Sequence, residues 1–203
     1  MFKIKSLLFL VISSLIILSL SGCGTSKYSI PSKNSEANII KTQDKAYAVF
    51  GAEELGGGRY NPIFEYFPQS ETFKLVSIMS SHERYIYPMN EGTHYFYSMG
   101  GETYDFVKIE ASKGKKYFVN IETVFWTWRM TTPIEFVPTT DRDLIEEINK
   151  KILIENSDKS TRWFNDRKDN PKFINKVKVR FEDWKEDDMQ EKTLYAKDGF
   201  PIK

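Results

Sequence analysis

The chain of 203 residues carries 29 Lys and Arg against 28 Asp and Glu, a formal net charge of +1 at pH 7. This balance argues against a nucleic-acid partner, because nucleic-acid-binding proteins present a strongly basic face. Aromatic residues make up 15% of the chain, and their preference for pleated, half-buried surfaces favours β structure.

The N-terminal residues have the pattern of a secretory signal. Lys3 and Lys5 give a short positive start, and an apolar run from Leu7 to Leu20 follows. The run is too short for a comfortable transmembrane helix, and its length is typical of a signal peptide. We therefore predict that residues 1–22 are removed from the mature protein.

The apolar run ends in a motif that resembles the bacterial lipobox, which has a large apolar residue, two small residues and a cysteine. The residues concerned are Leu20, Ser21, Gly22 and Cys23. We expect a diacylglyceryl group on the Cys23 thiol, cleavage of the Gly22–Cys23 bond and a further acyl chain on the new amine. The alternative is an ordinary secretory signal with an incidental cysteine.

Cys23 is the only cysteine, so no disulfide can form within the chain. One acyl chain binds a bilayer only marginally, whereas two or three chains on one residue give a lasting anchor. Gly24, where some lipoproteins have aspartate, resembles the pattern of Gram-negative lipoproteins sent to the outer membrane. We therefore expect a protein held by lipid on the periplasmic face of the outer membrane.

Residues 23–44 are predicted to form the lipidated cysteine and a flexible tether. The reason is that its small, polar and turn-forming residues give no apolar periodicity: Gly24, Thr25, Ser26, Ser29, Pro31, Ser32, Asn34 and Ser35. A flexible coil of 20 residues spans roughly 25 Å on average. Such a tether would lift a domain off the lipid head groups.

Residues 45–138 are predicted to form an antiparallel β-sandwich. Short apolar or alternating stretches are separated by turn residues such as Asn90-Glu91-Gly92 and Ser112-Lys113-Gly114. The predicted strands are Lys45–Phe50, Phe73–Ser80, Arg84–Tyr87, Thr93–Met99, Tyr104–Ala111, Lys115–Met130 and Ile134–Val137.

Residues 139–203 are predicted to form a mainly helical extension. Thr140 is a candidate cap, and Leu144, Ile145, Ile148 and Ile152 fall on one helical face. Asn170 and Pro171 predict the start of a second helix. Its apolar face would be Phe173, Val177, Phe181 and Trp184, although Lys176 to Val179 also fits a strand.

The segment from Tyr87 to Ile121 carries a family resemblance. It contains Glu91-Gly92-Thr93-His94, an alternating strand, and then Lys113-Gly114-Lys115 before Tyr117-Phe118-Val119. These motifs resemble a family of uncharacterised bacterial envelope lipoproteins with a domain of unknown function. The resemblance implies a small sandwich of the PEGA or transthyretin type and assigns no catalytic residue. Glu91 departs from that family, which often has proline before the glycine.

The search for catalytic or metal-binding residues finds no motif. His82-Glu83 begins like a metalloprotease helix, but Ile86 stands where the second histidine is needed. His94 is expected to make local hydrogen bonds, and Gly56-Gly57-Gly58 to form a flexible loop. We predict no catalytic residue, no metal and no cofactor besides the lipid on Cys23.

Trp126 and Trp128 follow a change of parity in the strand that begins at Lys115. Tyr117, Val119 and Ile121 point one way, whereas the later apolar residues fall on the other face, which requires a bulge or two covered faces. We expect the C-terminal helices to bury both tryptophans. The alternative is an exposed ledge that binds a partner.

Taken together, these patterns predict a mainly β fold with α in a lipid-anchored envelope protein. The expected role is that of a binding or structural adaptor for another envelope protein, and not of an enzyme. The alternatives are a module that binds glycans such as peptidoglycan and, with less support, a hydrolase with converging carboxylates.

Overall fold

A computed structural model of the protein describes residues 27–53, 60–100, 103–123 and 134–202. The strands before the first long helix are β1 (Ser29–Pro31), β2 (Ala46–Ala52), β3 (Asn61–Phe67), β4 (Thr72–Met79), β5 (Glu83–Met89), β6 (Gly92–Gly100), β7 (Thr103–Ala111), β8 (Lys115–Thr123) and β9 (Ile134–Thr139). Three short strands come later: β10 (Ile152–Asn156), β11 (Thr193–Leu194) and β12 (Phe200–Pro201). The helices are α1 (Glu36–Ile39), α2 (Arg142–Lys150), α3 (Asp158–Asn165) and α4 (Pro171–Asp187), and a 3₁₀ turn covers Ala196–Asp198.

The strands form two mixed sheets that pack face to face. The first sheet has the order β1-β10-β5-β2-β8, and the far edge of β8 pairs with β12 near its start and with β9 further along. The second sheet has the order β11-β7-β6-β3-β4. The predicted class, a mainly β sandwich with α structure and a C-terminal helix, is confirmed. The predicted sandwich was purely antiparallel, whereas the parallel pairs β2–β8, β10–β5 and β11–β7 make both observed sheets mixed.

The main core lies between the two sheets. Every second residue of the central strands points inward. Phe50 of β2 and Val119 of β8 face Phe96 of β6 and Ile63 of β3. The rings of Phe50 and Phe96 meet edge to face at 5.2 Å, a favoured aromatic geometry. Burial of these apolar side chains is what holds the sheets together.

The outer faces of both sheets are also apolar, because helices cover them. Helix α4 lays Val177, Phe181 and Trp184 against aromatic residues of the second sheet. Helix α2 lays Ile145 and Ile148 against the first sheet. The molecule therefore has four layers, and its central strands are covered on both faces.

Each of the seven predicted strands has a counterpart among β2 and β4 to β9, displaced by a few residues. The described part of the long strand from Lys115 ends at Thr123, and the rest of that prediction lies outside the described residues. Gly92 and Gly114, two of the predicted turn residues, have φ of 130° and 71°, a backbone conformation that glycine adopts without a Cβ clash. Strand β3 is a strand that we did not predict.

The prediction of a flexible tether is wrong for residues 27–43. Strand β1 pairs with β10, and α1 follows it. Glu36 of α1 forms an ion pair with Arg84. A strand of only three residues is too short to show an alternating pattern, so nothing in the local sequence indicated this pairing.

The C-terminal part is not a separate helical extension. Helix α2 begins after Asp141, whose side chain caps it, rather than after Thr140. The apolar series then ends at Ile148, because Ile152 lies in β10 and is 55% exposed. The prediction that Ile152 belongs to the helix face is wrong, since β10 joins the first sheet. Helix α4 begins at Pro171 with Asn170 as its cap, as predicted.

Candidate functional site

An open groove of about 720 Å³ lies on the outer face of the first sheet. Its walls come from three parts of the chain that are distant in sequence: α1, α2 and the C-terminal segment with β12. Strand β8 forms its base. We call this feature the outer groove.

The floor of the outer groove is apolar. Phe118 of β8 points away from the main core, and the ring of Phe200 meets it edge to face at 5.7 Å. The residues that complete the apolar lining are Ala37, Ile40, Ile145, Pro201 and Ile202. Such a surface offers dispersion contacts and loses water readily, so it favours an apolar ligand.

The polar groups of the groove are mostly paired with each other. Glu36 accepts a hydrogen bond of 2.6 Å from Arg84 Nη1 and one of 3.1 Å from Lys116 Nζ. Burial alone would raise the pKa of the Glu36 carboxyl, but the bonds from Arg84 and Lys116 hold that pKa below its ordinary value. Glu36 is thus an anion shared by two cations, and Asn149 is an exposed amide at the rim.

The C-terminal segment reaches the groove through a close backbone approach. Phe200 pairs with Lys116, and the Ile202 amide donates to the carbonyl of Gly114 at 2.9 Å. A Cβ at Gly199 would lie 2.7 Å from Cζ of Tyr117, closer than carbon atoms approach. Glycine at this position lets the last strand lie against β8 and form one wall of the groove.

The residues predicted to carry function lie outside the described parts of the chain. They are Leu20, Ser21, Gly22 and Cys23 of the lipobox, and Trp126 and Trp128. The residues that flank the two tryptophans, Thr123 and Ile134, pair with each other where β8 and β9 meet. Whether the tryptophans are buried stays a prediction.

His94 lies inside a hydrogen-bonded cluster that joins the two sheets. Glu65 of β3 accepts a bond of 2.6 Å from the Tyr87 hydroxyl of β5, and its other oxygen contacts Nδ1 of His94. Nε2 of His94 lies 3.0 Å from the carbonyl of Asn90, the local bond that we expected. Burial raises the pKa of Glu65, but its partners His94 and Tyr87 lower that pKa below the ordinary value.

This cluster has the chemistry of a structural link. Both ring nitrogens of His94 already face oxygen acceptors, so neither is directed at a substrate. Glu65 is buried at the edge of the main core, where it bridges β3 and β5. A buried carboxylate left without these bonds would carry a large desolvation cost.

Two further buried carboxylates also serve the fold. Glu83, beside the exposed His82, accepts bonds from the Ser29 hydroxyl and the Ser80 amide. Asp105 accepts bonds from the amides of Phe106 and Phe136 and from Lys192. Burial raises the pKa of Asp105 despite the nearby Lys192. Each carboxylate ties neighbouring segments together.

Within the described ranges, no group of three or more His, Cys, Asp or Glu is placed to hold a metal ion. None of the helices that the structure describes is long and apolar enough to cross a membrane.

No protein-family model and no curated protein matches this chain. The chain is similar to the solved NMR structure of a protein from Eubacterium rectale, with a TM-score of 0.32 and 10% sequence identity. The aligned region covers 54% of this chain and 97% of that protein. A likeness at that level carries no argument about function.

Proposed function

We propose that the protein is a lipid-anchored envelope protein that binds an apolar segment of another envelope protein in the outer groove. The observation that carries this proposal is the groove itself, an open apolar cleft of about 720 Å³. Its volume is within the usual range of roughly 300–1,000 Å³ for ligand sites. The role is that of an adaptor, which brings a partner to the membrane surface.

The chemistry of the lining favours a protein segment over a charged or sugar ligand. Phe118, Ile145 and Phe200 provide no hydrogen-bond donors or acceptors from their side chains. Glu36 is already engaged by Arg84 and Lys116, so its carboxylate is not directed at a ligand. Amphipathic helices and short apolar segments bind such grooves through a few side chains placed on one face.

The membrane anchor in this proposal is the lipid on Cys23. The support is the order of charges, apolar run, small residues and cysteine at the N-terminus. We propose that the anchor holds the protein on the periplasmic face of the outer membrane. Cys23→Ser should abolish incorporation of labelled fatty acid and leave the longer precursor on a gel. Labelled and normally processed Cys23→Ser protein would overturn the anchor.

The groove is tested by filling it without disturbing the core. Ala37 is exposed on α1 and lines the groove, whereas the neighbouring Asn38 is exposed and does not line it. A photo-crosslinking amino acid at Asn149, on the rim, reports what occupies the groove in intact cells. The matched control position is Val179, exposed on α4 on the other side of the molecule.

We expect a discrete protein adduct from position 149 and not from position 179. Ala37→Trp should reduce that adduct at least tenfold, because the indole fills the cleft, while Asn38→Trp should leave it unchanged. Adducts with lipid or glycan at position 149 would contradict a protein occupant. Equal adducts in the two tryptophan variants would show that the groove is not the binding site.

A further inference from the structure

A second surface, which we call the N-terminal patch, surrounds the point where the described chain begins. It consists of Lys27, Ile30, Lys159 and Arg162, which line a shallow cavity of about 410 Å³ between β1 and the start of α3. All four residues are exposed, and Ile30 is 44% exposed although it is apolar. Asp158 lines the same cavity, so the three cations exceed the carboxylates of the lining by two charges.

Aromatic side chains lie directly beside the N-terminal patch. The rings of Tyr28 and Tyr60 are 4.4 Å apart, and Trp163 lies 6.5 Å from Tyr28. Lys27 Nζ lies 4.9 Å from the centre of the Tyr28 ring, and the guanidinium carbon of Arg167 lies 4.4 Å from that of Trp163. Tyr28 is buried beneath this surface, whereas Tyr60 is exposed and Trp163 is half-buried. Exposed tyrosine and tryptophan beside basic residues are typical of surfaces at the boundary between membrane and water.

The backbone of Lys27 is fixed to the domain. Its carbonyl accepts a bond of 3.0 Å from the Ser157 hydroxyl, and the Tyr28 carbonyl accepts one of 2.9 Å from the Ser157 amide. Lys27 follows Cys23 by only four positions in the chain, and four Cα–Cα steps span at most about 14 Å. The nine residues of β6 alone span about 30 Å. A lipid on Cys23 therefore cannot lift the domain away from the bilayer.

From this geometry we propose that the N-terminal patch rests on the anionic lipid head groups of the bilayer that holds Cys23. The inference depends on the lipid anchor of the proposed function. Attraction between the three cations and anionic lipid acts within a Debye length of about 8 Å at physiological salt, a distance comparable with the reach of the anchor. Contact through this patch gives the domain a fixed orientation on the membrane.

The test uses the full chain as bacterial cells process it, reconstituted in vesicles of phosphatidylcholine with 30% phosphatidylglycerol and a head-group spin label. Because Cys23 carries lipid, a thiol fluorophore reacts only with an introduced cysteine. Thr161→Cys places the fluorophore on α3 between the patch cations, at an exposed position. The matched control is Glu91→Cys, an exposed position just before β6. Gly92, the next residue, lies about 20 Å along β6 from Ser98. Ser98 pairs with Ile63, which follows Tyr60 closely in the chain and so marks the end of the sheet near the patch.

We expect the spin label to quench the fluorophore at position 161 at least threefold more than at position 91. Lys159→Glu with Arg162→Glu should abolish this difference, whereas Lys172→Glu with Arg180→Glu on α4 makes the same change in net charge and should preserve it. Flotation of the vesicles separates the two possible failures. Protein that does not float contradicts the lipid anchor, and hence the proposed function.

Protein that floats with equal quenching at both positions would overturn the inference and leave the anchor intact. Persistence of the difference after the patch charges are reversed would also overturn it, since the contact would then not depend on anionic lipid. A smaller difference in vesicles of phosphatidylcholine alone would support it.

Discussion

The contact between Gly51 and Ile148 offers a sharp test of how α2, one wall of the outer groove, is held on the sheet. A Cβ at Gly51 would lie 2.8 Å from Cγ1 and 3.0 Å from Cγ2 of Ile148. Carbon atoms in contact normally lie about 3.5–4.0 Å apart. The φ of Gly51 is not in the left-handed region, so alanine strains only this contact. We expect Gly51→Ala to destabilise the protein by about 1–3 kcal/mol, the usual cost of overpacking.

The matching change is Ile148→Ala, which removes both γ carbons. Ile148 is fully buried, so this truncation should cost about 2–5 kcal/mol by itself. In the double variant the new Cβ at position 51 occupies space that Ile148 has vacated. The combined cost should therefore be smaller than the sum by about 1 kcal/mol or more, within the range of couplings measured for residues in contact.

Urea unfolding of the four proteins of this cycle, followed by tryptophan fluorescence and circular dichroism, measures the coupling. Gly51→Ala combined with Ile145→Ala provides the control. Ile145 lies on the same helix, but the three atoms nearest to a Cβ at Gly51 all belong to Ile148. Those two costs should add. Additive costs for Gly51 and Ile148, or the same coupling in both cycles, would refute the packing described for α2.

Three further predictions concern other parts of the fold. Burial raises the pKa of Glu65, but hydrogen bonds from His94 and Tyr87 bring that pKa below its ordinary value. The ionised carboxylate therefore stabilises the fold fully above the unfolded pKa of about 4.3, and this stability is lost as the pH falls through the lowered pKa of the folded protein. Glu65→Gln should therefore lower Tm at pH 7 and flatten the fall of Tm between pH 5 and pH 3. Trp184→Ala should cost about 3–5 kcal/mol in urea unfolding, because the indole is buried on the second sheet, whereas the 51% exposed Val179 should tolerate alanine within about 0.5 kcal/mol. Asn170→Ala removes the side-chain cap of α4 and should cost about 1 kcal/mol, and an unchanged unfolding midpoint would contradict that cap.

The elements that sequence reasoning predicted correctly are those with local signals. Alternating apolar residues between glycine turns identified β6 and β7, and the Asn170-Pro171 pair identified the start of α4. Gly92 adopts the positive φ that its turn requires. These features depend on a few neighbouring residues, so a single sequence contains them.

Strand β3 was missed because its two faces are both covered. Ile63 points into the main core, while Phe64 and Tyr66 point toward α3 and α4, so the alternation of polar and apolar residues is hidden. Pro62 near its start also argues against a strand. Strand β8 shows the same double burial within its described residues, with Tyr117 in the main core and Phe118 beneath the outer groove.

The outer groove could not be predicted because its parts meet only in the folded molecule. Glu36 and Phe200 lie at opposite ends of the described chain. They come together because β12 pairs with β8 and because Lys116 of β8 bonds to Glu36. Neither residue stands in a motif, and no spacing in the sequence connects them.

In the lipid-anchored protein that we propose, the pairing of β1 with β10 has a mechanical consequence. A pull on Cys23 enters the fold at Lys27, where it first loads the bonds from Ser157 to the carbonyls of Lys27 and Tyr28. It then loads the three-residue β1–β10 ladder before it reaches the main core. Detachment of β1 and α1 would release residues 27–44, which extend to about 60 Å. The first strand would then act as a folded reserve of length, keeping the domain close to the bilayer at rest and allowing it to follow a partner that moves away under tension.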